Sequence, residues 1–163
     1  MIFGMTLILF VHVAISLVGI FSGLVVIWGL LGAKRLDTWT AVFLANTVAT
    51  SVTGFLLPAE KLLPSHVLGI ISLVVLAIAI VARYQRRLAG PWRLTYVITA
   101  VIAQYLNCFV LIVQAFQKVP ALHDLAPTQT EPPFAVAQLV ALVAFIALGV
   151  LAARRFRVEP ETI

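Results

Sequence analysis

The chain has 163 residues, 63% of them hydrophobic and only 10% charged, and its mean hydropathy is +1.12. This excludes a soluble domain, in which about a quarter of positions are charged. The formal net charge of +5 comes from cations set in short groups beside apolar runs, so they read as a topology signal and exclude a nucleic-acid surface.

One bilayer crossing takes about 20 mainly apolar residues, because hydrocarbon offers backbone amides no partner outside the helix. Five stretches qualify, at about 2–31, 38–57, 66–82, 94–116 and 134–153. The first opens on MIFGMTLILFVHV, which has neither a basic leader nor a small-residue cleavage site, and is read as a retained span. It is longer than a crossing needs, so tilt is expected. His12 lies inside it, about 10 Å deep at the helical rise. Ser16, Gly19 and Gly23 share its face, and Gly19 to Gly23 form a GxxxG sequence that lets a second helix approach closely.

Gly32, Lys34 and Arg35 close this span. The second carries Asn46, Thr50 and Thr53 on one stripe, with Thr47, Ser51 and Gly54 on the next. Pro58 and Pro64 end it, and His66 opens the third span. Arg83, Arg86, Arg87, Gly90, Pro91 and Arg93 then lead to the fourth, where Gln104, Asn107 and Gln114 fall on neighbouring stripes. Cys108 stands alone in this apolar run, which disfavours disulfide exchange. Residues 117–133 form the one long polar connection, with Pro120, Pro127, Pro132 and Pro133 stiffening its backbone. It is expected to fold back as a lid, carrying His123, Asp124 and Glu131 towards His12 and His66. Gln138 lies one turn inside the fifth span, and Arg154, Arg155 and Arg157 precede a short solvated tail, VEPETI.

Short loops rich in Lys and Arg stay on the cytoplasmic side. With five spans, Lys34, Arg35, Arg83, Arg86, Arg87, Arg93, Arg154, Arg155 and Arg157 share one side. Lys61 and Lys118 fall on the other, with Glu60, Asp124 and Glu131. The expected fold is all-α: one polytopic membrane domain over 1–163, a helical bundle of five transmembrane helices, N-terminus out and C-terminus in.

His12 in the first span, "LPSHVLG" at the third, "YLNCFVLIVQ" in the fourth and "LAPTQTEPPF" before the fifth together resemble small uncharacterised bacterial multispan inner-membrane proteins. The resemblance implies a multi-pass place in the bacterial inner (plasma) membrane and carries no activity with it.

The candidate site is a ligand or cofactor site at the outer leaflet around His12, with His66, Gln114 and Gln138, and with Asp124 and Glu131 on the lid. Haem b, a quinone, a lipid headgroup or a metal held by His12, His66 or His123 would suit neutral imidazole chemistry. Each residue also has a plain structural role: an imidazole bonded to a neighbouring helix, an interfacial helix start, interhelical amide bonds. The alternative is a non-catalytic accessory subunit, a homo-oligomer or part of a larger membrane complex packed through Gly19 and Gly23. A transporter of a neutral solute ranks below both, since no Asp, Glu, Lys or Arg falls in the expected span cores and no repeat is present. No HExxH, desaturase-type histidine cluster or nucleophile elbow marks an enzyme.

Overall fold

The computed structural model describes residues 6–57 and 64–157. Their regular structure is helical: α1 (Leu7–Leu31), α2 (Asp37–Gly54), α3 (Pro64–Ile80) continued by a π turn (Val81–Gln85), α4 (Pro91–Lys118), the single-turn α5 (Pro120–His123) and α6 (Pro132–Arg155). The first span before Thr6, Glu60 and Lys61, and the C-terminal tail beyond Arg157 lie outside the described residues.

Local chemistry sets the helix ends. The Thr6 hydroxyl accepts from the Leu9 amide at 3.4 Å and caps α1, satisfying one of the free donors of the first turn. Gly90 sits at φ 51 and ψ −123, a conformation open to glycine alone at little cost. Pro91 follows at the first helical position of α4, where its fixed φ suits the helix and its missing amide is not needed. Glu131 is extended, and Pro132 and Pro133 open α6 in the same way.

Among the described residues, four helical segments are long and apolar enough to cross a membrane: Leu7–Leu31, His66–Gln85, Pro91–Lys118 and Pro132–Arg155. The remaining long helix, α2, is the polar one, because Asn46, Thr47, Thr50, Ser51 and Thr53 interrupt its apolar run. Much of that polarity is bonded back to its own helix: the Asn46 amide donates to the Val42 carbonyl at 2.8 Å, and the Ser51 hydroxyl to the Thr47 carbonyl at 2.9 Å. Such local bonds lower the cost of placing polar side chains away from water.

Packing runs α1 on α2, α2 on α3, α3 on α4 and α4 back on α1, and α6 docks outside on α4 and α1. The tight core lies at one end of this ring. Val26 and Leu30 of α1 meet Phe43 and Leu44 of α2, Leu76 and Ala79 of α3, and Tyr96, Val97 and Ala100 of α4. Small residues such as Ala79, Ala82, Ala100 and Ala103 are buried in this core, and residues of that size allow close helix approach. The same end carries the arginines. Arg83 pairs with Asp37, joining the π turn to the start of α2, and Arg93 donates to the Phe156 carbonyl, joining the start of α4 to the end of α6.

Candidate functional site

At the opposite end, His12 projects from α1 onto the last turn of α2. Its Nδ1 lies 2.8 Å from the Thr53 Oγ1, and its Cε1 lies beside Gly54, 3.7 Å from where a Cβ would stand. The Thr53 hydroxyl also reaches the Ala49 carbonyl at 2.8 Å. His12 is half-buried, and its α1 neighbours Leu7 and Val11 present apolar surface outward. His66 packs on the same turn of α2, its ring 5.5 Å from that of Phe55 at 32°. Both histidines therefore meet residues 53–55, one from α1 and one from α3.

The other candidates are dispersed over different seams. The Gln138 amide donates to the Phe109 carbonyl at 3.2 Å, tying α6 to α4, and its buried Oε1 has no hydrogen-bond partner. Gln114 is exposed on α4. His123 and Asp124 are exposed at the end of α5. Glu131 accepts from the Thr128 amide and hydroxyl at 3.2 and 2.9 Å and from the Thr130 amide at 3.1 Å. Desolvation pushes its carboxyl up, but hydrogen bonds from its own amide, from Thr128 and from Thr130 outweigh that and hold it below the usual carboxylate range. The connection is anchored to α4: the Gln129 amide donates to the Val113 carbonyl at 2.9 Å, and Phe116 and Phe134 meet edge to face at 5.4 Å. Among the described residues, no group of three or more His, Cys, Asp or Glu side chains is placed to hold a metal ion.

Midway along the bundle runs a polar seam that joins three helices. Gln104 is fully buried, and its Nε2 donates to the Ile20 carbonyl of α1 at 2.9 Å and approaches the Cys108 Sγ at 3.6 Å. Asn107 donates to the Thr47 hydroxyl of α2 at 3.1 Å. Gly19 and Gly23 are buried beneath these groups: a Cβ at Gly19 would stand 3.3 Å from the Thr47 Oγ1, and one at Gly23 would collide with Gln104. The GxxxG face is thus filled within the chain by α2 and α4.

Searches against family models, curated proteins and solved structures give no match to this chain. The likeness to bacterial inner-membrane proteins rests on the quoted motifs alone. What decides the class is the physical surface: four long apolar segments, with Val136, Val140, Val143 and Ile146 of α6 each more than half exposed. The chain is an integral membrane protein. Hydrocarbon covers such faces without cost, whereas water would not.

Sequence reading passed over two features. Arg83, counted with the loop cations, is helical and buried, with its guanidinium 5.3 Å from the centre of the Tyr96 ring and paired with Asp37. Asp37 was the available signal, being the only acid in either of the first two basic connections, 32–37 and 83–93. Gln104 was seen only as one polar residue on a stripe; its place above Gly23 depends on how α4 lies against α1.

Proposed function

We propose that the protein binds a lipid-soluble hydroquinone headgroup through the Nε2 of His12. The observation that carries this reading is the chain of bonds from His12 to Thr53 to Ala49. A threonine hydroxyl has one proton; given to the Ala49 carbonyl, it leaves the Thr53 oxygen to accept from His12 Nδ1–H. In the neutral imidazole this bond keeps the proton on Nδ1 and leaves the Nε2 lone pair available, since the bond made by one ring nitrogen selects the tautomer. A hydroquinone hydroxyl can donate to that lone pair, and its isoprenoid tail can lie along the apolar surface of Leu7 and Val11. Haem iron is a second partner, one that would accept this lone pair as an axial ligand, and the packing of His66 on Phe55 makes it the weaker reading.

Protein purified in mild detergent is expected to retain a quinone that solvent extraction and chromatography reveal. His12→Ala is expected to weaken retention about 10-fold, the value of one good hydrogen bond, while the variant still inserts and purifies. Thr53→Val is expected to move the ¹⁵N resonance of Nε2 away from its unprotonated position by releasing the tautomer. Equal quinone content in wild type and His12→Ala would discard the site. A Soret band that shifts on dithionite reduction and vanishes in His12→Ala would replace hydroquinone by haem.

Within the same reading α2 is a fifth span, the N-terminus is out, the C-terminus is in, and the membrane is the bacterial inner membrane. The basic groups gathered at one end support this through the positive-inside rule. A cysteine placed at the exposed Asp124, in a Cys108→Ser background, is expected to react with an impermeant maleimide in intact cells. Labelling only after lysis would reverse the orientation.

A further inference from the structure

We propose that the seam between α4 and α6 is a binding site for one anionic phospholipid, with its phosphate on Arg154 and Arg157 beside Arg93 and one acyl chain in the apolar groove above them. Two observations meet there. At the basic end, Arg93, Ala153, Arg154 and Arg157 line an open cavity of about 620 Å³, with three guanidinium-bearing residues and, among the described residues, no acid in its wall. Arg93 is fixed by donating to the carbonyls of Ala153, at 3.3 Å, and Phe156. Arg154 and Arg157 are exposed and make no side-chain bond among the described residues. Guanidinium groups pair with phosphate oxygens in a two-pronged geometry that suits a headgroup.

Further along the same two helices lies a groove of about 250 Å³, lined by nine apolar or aromatic residues, among them Ile98, Val101, Phe145 and Gly149, and closed by Tyr105 against Phe145 at 5.8 Å. Ile98 follows Arg93 by only five positions, and Gly149 precedes Ala153 by one helical turn. The groove therefore begins about 7 Å from the cationic cavity at the helical rise. α6 buries little against the rest of the chain, with Ala152 its one buried residue, so the seam is open to the bilayer.

Charge selects the occupant. A second copy of this chain would bring another basic end to three arginines, and a free phosphate ion would leave the groove uncovered. An anionic phospholipid satisfies both halves, in the manner of basic pockets between transmembrane helices at a membrane surface. This inference needs the membrane setting but not the His12 site.

The test is native mass spectrometry of the detergent-solubilised protein, with phosphatidylglycerol and phosphatidylcholine of identical chains in competition. One phosphatidylglycerol per chain is expected in preference to phosphatidylcholine. Arg154→Gln with Arg157→Gln is expected to cut that preference about 10- to 30-fold, and Arg154→Lys with Arg157→Lys to keep most of it. Ile102→Trp, which fills the groove from an exposed position, is expected to lower retention of both lipids while leaving the ratio in place. Equal retention of the two lipids by the wild type would overturn the proposal, and this arm stands even if a variant fails to fold. Displacement by millimolar inorganic phosphate would overturn it in favour of a free anion. A dimer whose mass carries no lipid and which Ile102→Trp splits would overturn it in favour of a second copy.

Discussion

Gly23→Ala is expected to destabilise the bundle by about 2 to 3 kcal/mol, a large effect for one methyl group, because there is no space at that position. A Cβ there would overlap the Gln104 Oε1 and stand 2.5 Å from its Cδ and 2.8 Å from the Phe43 Cδ2. Gln104 cannot easily withdraw. Its Nε2 is held on the Ile20 carbonyl, and the side chain is fully buried. Its Oε1 already lacks a partner, and turning the amide over would set oxygen against the Ile20 oxygen. Gln104→Ala alone is expected to cost about 1 to 2 kcal/mol, since it removes the interhelical bond and opens a small cavity. The double variant decides the mechanism. A Cβ at Gly23 then enters space that Gln104 has left, so the combined loss should fall short of the sum by about 1 kcal/mol or more. Thermal unfolding in one detergent reads all three, and additivity within about 0.5 kcal/mol would show that the steric account is wrong.

Asp37→Ala is expected to cost more than Arg83→Met, although the arginine makes more of the contacts. The reason is an asymmetry of exposure. The Arg83 side chain is 3% accessible and that of Asp37 is 69% accessible. Without the carboxylate, a guanidinium stays buried with the Tyr96 ring at 5.3 Å and no counter-charge at this contact. Removing one partner of a fully buried pair costs about 3 to 5 kcal/mol; the exposure of Asp37 reduces this, and about 2 kcal/mol is expected. Arg83→Met keeps the apolar stem in place and leaves Asp37 facing water, near Arg35 at 3.6 Å, for a loss of about 1 kcal/mol. Unfolding midpoints of the two variants, compared at low and high salt, check this. The reverse order would mean that stem packing on Tyr96, and not the charge pair, holds the π turn against α2 and α4.

Membrane class, the helical elements and the grouping of cations were legible from residue order alone, since each depends on local or summed properties. An apolar run long enough to cross hydrocarbon has to be helical. Gly90 with Pro91, and Pro132 with Pro133, mark helix starts through backbone sterics that need no distant partner. His12 could likewise be read as facing protein, from its stripe with Ser16, Gly19 and Gly23, because helical periodicity fixes which residues share a face.

Which helix receives that face is a different kind of fact. The bond of His12 to Thr53, the meeting of His66 with Phe55, the burial of Gln104 over Gly23, and the pairing of Arg83 with Asp37 span separations of 11 to 81 residues. They follow from rotations and offsets between helices that no single stripe contains. The polar connection shows this most plainly. Its prolines indicated stiffness, but only the packed bundle placed Gln129 on Val113 and Phe134 on Phe116, tying it to α4. Sequence sets what each helix can offer; the tertiary structure decides which offer is accepted, because close packing lets each surface meet one neighbour and excludes the rest.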